Sequence, residues 1–364
     1  MANRPHVLIV GAGIIGASIA WHLASAGARV TVVDAGAPGG VATRNSWAWI
    51  NASWGNPEAY FRLRVRAMAE WRRLERELPD IRVAWVGGLI WELPPDQLEA
   101  FAVEHLARGY GIRRVDRVEA QRIEPQLAAP PEFALHVPGE GAVEPLDAVQ
   151  ALLTAAQGLG ATVIANNPVR ALNLRGGRVR GVRMDIGDLD ADEVILAAGA
   201  GTAALAATAG LILPITAPPA LLVATKPEAR LLNGLVMAPE LQMRQTAAGR
   251  LLATAGLDVT ASCEDGSLAA AAVFEAMKRM LRSGVSLDMD FHAVGRRPIP
   301  KDGLPVIGRA DGIAGLYIAV MHSGITLAPA VGRFVTDEIL SGRCDPLLAP
   351  YGVERFAGFN PHGA

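Results

Sequence analysis

Gly11-Ala12-Gly13-Ile14-Ile15-Gly16 stands between two β-branched runs, His6–Val10 (HVLIV) and Arg29–Val33, with a helical pattern reaching Gly27 between them. A GxGxxG in that setting closes a βαβ unit and commits the chain to a doubly wound α/β domain with buried parallel strands. Gly11 permits the tight turn, Gly13 lets backbone approach a pyrophosphate, and Gly16 lets the helix pack closely on the sheet. The helix N-terminus offers N–H groups and a partial positive charge to the phosphates. Asp34 ends the second strand, where an acid bonds the ribose hydroxyls of an adenine dinucleotide. An acid there disfavours a 2′-phosphate. The motif alone leaves NAD and FAD both open.

The other broad classes are excluded by composition. The chain has 364 residues, 51% hydrophobic and 19% charged, enough for two domains with large buried cores. Lys plus Arg number 34 and Asp plus Glu 36, and aromatics are 5%, so no nucleic-acid surface is expected. Cys263 and Cys344 form no CxxC pair, which argues against a disulfide framework or a cysteine-ligated metal centre. The apolar N-terminus is broken by Gly11, Gly13 and Gly16, so it reads as fold rather than as an export signal. No uninterrupted apolar run is long enough for a membrane span, and the expected setting is cytoplasmic.

Farther along, Val194–Ala200 (VILAAGA) reads as a buried strand ending in Gly199-Ala200-Gly201. Residues 62–78 read as a helix capped by Asn56, with Pro57 in its first turn. Phe61, Val65, Met68, Trp71, Leu74 and Leu78 would form its buried stripe. Arg62, Arg66, Arg72, Arg73 and Arg76 would form a basic face, solvated rather than resting on lipid. Residues 83–91 and 251–255 read as strands of one mostly antiparallel sheet. Residues 315–320 read as a strand before His322-Ser323-Gly324-Ile325-Thr326 and a helix to Leu340.

In this order of segments the chain resembles the D-amino-acid oxidase superfamily of FAD-dependent oxidoreductases, with glycine oxidase, sarcosine oxidase and D-amino-acid dehydrogenase the nearest in pattern. The likeness runs from the GxGxxG through VILAAGAGT (194–202) and LPI (213–215) to RPIPKDGLPVIG (297–308) and HSGITLAPAVG (322–332). The last two segments are not those of a nicotinamide dehydrogenase. The resemblance implies a Rossmann-like FAD-binding domain of the glutathione-reductase type, from residues 1–80, 141–212 and 296–364. A second, α+β substrate domain on a mostly antiparallel sheet would come from 81–140 and 213–295. It implies that Gly11, Gly13, Ile14, Ile15, Gly16 and Asp34 hold the ADP half of FAD, and that Val169, Ala198, Gly199 and Gly201 line the adenosine. Thr43, Ser46, Trp47 and Ala48 would meet the ribityl chain or the ring. Gly303 would bring backbone close to the ring. Ser323, Gly324, Ile325 and Thr326 would point helix N–H groups at the flavin, where reduction develops negative charge. With no cysteine in residues 292–300, the FAD is expected to be non-covalent.

On the substrate side the resemblance gives Arg297 to a substrate carboxylate, which a planar guanidinium can bind with two parallel bonds. Arg296, beside it on a strand, would point away. A structural ion pair is the alternative for Arg297. His322 stands where glycine oxidases carry an arginine; it could bond the substrate or place a positive charge beside the reduced flavin. Arg244 is expected to face the flavin, and Trp47 and Trp49 to wall the pocket. The activity implied is oxidation of a C–N bond in a small amino acid or secondary amine. The electron acceptor is dioxygen or a quinone or other carrier. A 2-hydroxy acid substrate and a non-catalytic flavin sensor are the alternatives. Substrate chirality and oligomeric state are not readable.

Overall fold

The computed structural model describes residues 4–53, 55–255, 266–282 and 286–359; Cys263 lies outside them. Six strands form one sheet, in the order Val306–Arg309, Leu316–Val320, Glu193–Leu196, His6–Val10, Arg29–Val33 and Thr162–Ile164. Its neighbours pair in parallel except Val306–Arg309 with Leu316–Val320. The central strands HVLIV and LYIAV are buried throughout, as a strand covered on both faces must be. Val7 and Ile9 face helices, whereas Leu8 and Val10 pack with the antiparallel trio Val169–Arg175, Arg178–Met184 and Gly187–Asp190. The strand read over 194–200 stops at Leu196, and Gly199–Gly201 is a 3-10 turn.

Two helices, Ile14–Ser25 and Gly324–Ser341, follow strands of this sheet and therefore begin at the same edge, beyond the strands' carboxyl ends. The first ends just before Gly27, whose φ of 84° reverses the chain. The two pack together at Gly332. A Cβ there would lie 2.4 Å from Ser18 Oγ and 2.9 Å from the Ser18 carbonyl oxygen. Ser18 Oγ donates to the Ala328 carbonyl at 2.7 Å, which ties the pair.

The helix Glu58–Glu77 leans on the last one: Trp71 Nε1 donates to the Ile325 carbonyl at 2.9 Å. Pro57, not Asn56, occupies its N-cap position. Its buried face runs through Tyr60, Arg64, Ala67, Met68, Trp71 and Leu74, so Val65, expected inside, is 39% exposed. The stripe advances by three and four residues, and that rhythm places position 64, not 65, over the core. The expected basic face is largely neutralised. Arg66 and Arg73 pair with Glu70 at 2.8 and 2.6 Å, and Arg333 joins them at 3.0 Å. Burial alone would raise the Glu70 carboxyl, but these guanidinium groups hold it below its ordinary range.

A second, eight-stranded sheet runs in the order Met289–Arg296, Pro219–Pro227, Arg250–Thr254, Gln242–Gln245, Leu235–Met237, Gly88–Ile90, Phe133–Val137 and Arg113–Asp116. It is antiparallel except where Leu235–Met237 meets Gly88–Ile90. The run 83–91 divides: Val83–Ala84 belongs instead to a three-stranded sheet with Gly141–Val143 and Trp49–Ile50. Alternation sorts the two faces of the large sheet. Val223, Ala253 and Met243 pack with residues of the helix Ser267–Met280, including Val273 and Met277, while Leu222, Thr254 and Gln242 face a cavity. Among the described residues no helix is long and apolar enough to cross a membrane.

The close approach at Gly332 makes a prediction. Gly332→Ala should lower stability by about 1–3 kcal/mol, since a new methyl meets backbone that cannot swing aside. Urea denaturation of the two proteins checks it; equal midpoints would show that the helices can separate at no cost.

Candidate active site

A cavity of about 1300 Å³ opens beyond the carboxyl ends of the parallel strands and extends to the face of the eight-stranded sheet. That is the crevice where open α/β sheets bind ligands. At one end it is floored by Gly11, Gly13, Ile14 and Ile15. A Cβ on Gly11, whose φ is 109°, would lie 2.4 Å from the Ala197 carbonyl oxygen; one on Gly16 would lie 1.9 Å from that of Gly11. The bare backbones thus stack three segments where a phosphate must come close. Gly16 itself is buried behind this stack and does not touch the cavity.

Asp34 is fixed by its own backbone surroundings. Ala12 N–H donates to Oδ2 at 2.6 Å and Gly36 N–H to Oδ1 at 2.8 Å. Each carboxylate oxygen keeps a lone pair for a ribose hydroxyl. Val169, Ala198, Gly199 and Gly201 line the same end. Thr43, whose Oγ1 accepts from Ile14 N–H at 3.2 Å, lines the middle with Ser46, Trp47 and Gly303. Ala48 is not on the wall. It is fully buried with φ 66° and turns the chain away from the cavity into Trp49–Ile50. The glycine stack, the anchored acid and the adjacent helix N-terminus fit the ADP half of FAD.

The N-terminus of the last helix opens on the middle of the cavity through Ser323, Gly324, Ile325 and Thr326. No side chain caps it. Thr326 Oγ1 donates to the Trp49 carbonyl at 3.1 Å and accepts from Asn51 N–H at 3.3 Å, which pins the helix start to the segment 49–51. Trp47 and Trp49 both line the cavity, their rings 5.6 Å apart.

Two charged groups stand out. Arg64 is 5% exposed, lines the cavity and donates only to neutral acceptors: the Asn51 carbonyl at 3.0 Å, Asn51 Oδ1, and Ser323 Oγ at 2.6 Å. Arg297 lines the cavity with its Nε buried and without a partner, and burial lowers its pKa with no carboxylate to oppose it. Arg296, also at the rim, is exposed and reaches the Ala217 carbonyl at 3.4 Å.

His322 lines the cavity between these cations. The residue is exposed to the cavity, yet the protein around it, and then the charges of Arg297 and Arg64, push its pKa down to about 4. That shift favours the neutral ring near pH 7 and leaves the positive charge beside it to the two arginines. Arg244 departs further from expectation. It shares a sheet face with Gln242, but its guanidinium is spent on Glu144 at 2.8 Å and on the Trp47 and Val143 carbonyls. It braces the cavity wall from behind and is not part of the lining.

Three positions at or behind the cavity escaped sequence reasoning. Arg64 sits in an apolar helical stripe, and its burial there was the available signal. Glu140 is fully buried and accepts from Trp49 Nε1 at 2.8 Å, Ala52 N–H at 3.0 Å, Ser53 N–H at 2.9 Å and Tyr110 OH at 2.7 Å. It anchors the segment that holds the last helix, and no local pattern announces it. Glu92 lines the far wall; the sequence shows only an acid after an apolar strand.

A family profile for FAD dependent oxidoreductases matches residues 6–338. The chain belongs to that family. FAD is accordingly its cofactor, and the chain is an oxidoreductase. A glycine oxidase of Pseudomonas aeruginosa is 30% identical, the match covering 94% of this chain and 96% of that protein. The glycine oxidase structure from Geobacillus kaustophilus superposes with a TM-score of 0.85 at 25% identity, over all of both chains. An iminodiacetate oxidase structure from Chelativorans sp. BNC1 gives 0.83 at 26% identity, over 95% of this chain and 98% of that one.

The depressed histidine yields a prediction for this family member. The pH profile of kcat/KM should show no ionisation from His322 between pH 6 and 8, because protonation waits until about pH 4. Profiles of the wild type and His322→Asn should share one shape. A limb near pH 6.5 that vanishes in the variant would contradict this placement.

Proposed function

We propose that the chain oxidises the C–N bond of a small amine that carries a carboxylate, an amino acid or secondary amine. The observation that carries this reading is Arg297: a half-buried guanidinium on the cavity wall, its buried Nε without a partner, that an anionic ligand would complete. Its fork would take the substrate carboxylate in two parallel bonds and set the α-carbon's orientation. Arg64 and the uncapped helix at Ser323 would receive the negative charge that reduction develops. Neutral His322 would accept or donate one hydrogen bond without adding charge. Trp47, Trp49 and Leu222 would keep water from the reacting carbon.

FAD, held without a covalent bond by the glycine stack and Asp34, would supply at N5 the two-electron acceptor for the hydride that leaves the α-carbon. Loss of hydride from the neutral amine would turn the C–N bond into the C=N of a protonated imine, which water would split into a carbonyl compound and a protonated amine. In this reading residues 1–80, 141–212 and 296–364 carry the cofactor, 81–140 and 213–295 shape the substrate chamber, and the enzyme works in the cytoplasm. Its likeness to glycine oxidases and to an iminodiacetate oxidase supports the amine class.

The test is anaerobic mixing of purified holoprotein with glycine, sarcosine, D- and L-amino acids, proline and 2-hydroxy acids while the flavin absorbance near ~450 nm is followed. An amine should bleach the flavin. Readmitted air separates the two acceptors: rapid return of colour identifies dioxygen, and slow return a quinone or carrier. Arg297→Met should lower kcat/KM by about 100-fold, the loss of a charge-assisted bidentate contact. Bleaching by hydroxy acids alone, or by no donor at all, would overturn the proposal.

A further inference from the structure

The loop that brings Gly303 to the cavity has little of its own to hold it. It joins the short strand Ile299–Pro300 to the edge strand Val306–Arg309. Asp302, Gly303 and Leu304 line the cavity. Inside the loop, Gly303 N–H donates to the Pro300 carbonyl at 2.8 Å and Leu304 N–H to Asp302 Oδ1 at 3.1 Å. Gly303 is exposed with φ 75°, and a Cβ on it would meet no atom.

The loop is held instead by a later segment. The family profile stops at residue 338, and the 3-10 turns Pro346–Tyr351 and Val353–Phe356 lie beyond it. These turns are firmly seated. Leu348, Tyr351 and Val353 are buried with residues of the six-stranded sheet and its helices. The Tyr351 ring meets Tyr60 of the cavity wall edge-on, with 6.0 Å between centres.

From that platform Arg355 reaches back to the loop. Its Nε donates to Asp302 Oδ2 at 2.8 Å, and its Nη2 to Asp302 Oδ1 and to the Leu304 carbonyl, each at 3.3 Å. Nη1 donates to the Tyr351 and Gly352 carbonyls at 2.8 and 2.9 Å. A guanidinium carries five N–H donors, so every one is engaged, on the loop or on the turns. The Arg355 side chain is 19% exposed, which shields the pair from the screening that weakens open surface ion pairs. Burial alone would raise the Asp302 carboxyl, but Arg355 and the Leu304 N–H hold it below its ordinary range.

We propose that Arg355 is a positioning residue for the cofactor: by tying Asp302 and Leu304 to the turns at 346–356, it holds the loop 302–304 in place to meet FAD. This rests on that loop touching the bound FAD. A loop already in place removes an ordering cost from binding. The test measures Kd for FAD by equilibrium dialysis of the holoprotein, and the visible circular dichroism of the bound flavin, in the wild type, Arg355→Met, Arg355→Lys, Asp302→Asn and Gly303→Ala. Arg355→Met and Asp302→Asn should each raise Kd about tenfold, as when the loop is in place one time in ten, and should alter the flavin spectrum. Arg355→Lys should fall between, because an ammonium keeps the charge but not the fork.

Unchanged Kd and spectrum in folded Arg355→Met would overturn the inference. If Arg355→Met does not fold, the isosteric Asp302→Asn decides in its place; loss of folding in both would mark a purely structural tie and overturn it too. Gly303→Ala, strained at its positive φ, tests the loop contact by itself. A raised Kd there with none in Arg355→Met removes the clamp and leaves the contact standing. No change in either shows that the loop does not touch FAD, and both fall.

Discussion

The contact between the helices Ile14–Ser25 and Gly324–Ser341 decides where charge can be placed in this protein. Both follow strands of one sheet, so both begin beyond the same edge. A Cβ on Gly324 would lie 3.5 Å from Ile15 Cγ1, so the two starts are neighbours. One N-terminus meets the phosphate end of the cavity and the other its middle. Each favours a nearby anion by about 0.3–1 kcal/mol, and by about 2 kcal/mol where partly buried. Gly332 and the Ser18 hydrogen bond fix the pair, and the helix Glu58–Glu77 locks it from outside through Trp71.

Around the second helix start the protein gathers positive charge that it does not neutralise. Arg64 bonds neutral oxygens and Arg297 none, while His322 stays uncharged between them. Elsewhere the same chain pairs its guanidinium groups readily: Arg66, Arg73 and Arg333 share Glu70, and Arg244 takes Glu144. The contrast gives the cavity its meaning. A desolvated cation without an anionic partner costs stability unless a bound anion completes it, and buried Arg64 and half-buried Arg297 both line the space that FAD and a substrate would share.

Much of the nucleotide end was legible in sequence, because its determinants are local. Gly11, Gly13, Gly16 and Asp34 act through backbone shape and chain direction, which a short motif specifies. The final helix was equally plain, as its apolar strand and glycine turn are contiguous. The substrate end was less so. Arg244 lies on the right strand face but beyond Trp47, and no local pattern tells a lining position from the one behind it. Arg64 was passed over because the helix's rhythm was set one residue out, with Val65 given the buried place. Glu140 and Glu92 owe their roles to partners some 90 or 150 residues away in the chain, and only the folded sheets bring these together.

The central claim is that Arg297 holds a carboxylate against the flavin. The most direct measurement is a spectral titration of the oxidised holoprotein with acetate and with acetamide, an isosteric pair differing in charge. Acetate should perturb the flavin band saturably, acetamide should not, and Arg297→Met should abolish the acetate response while retaining bound FAD. An acetate response undiminished in the variant, or none in the wild type at any concentration, would contradict the account.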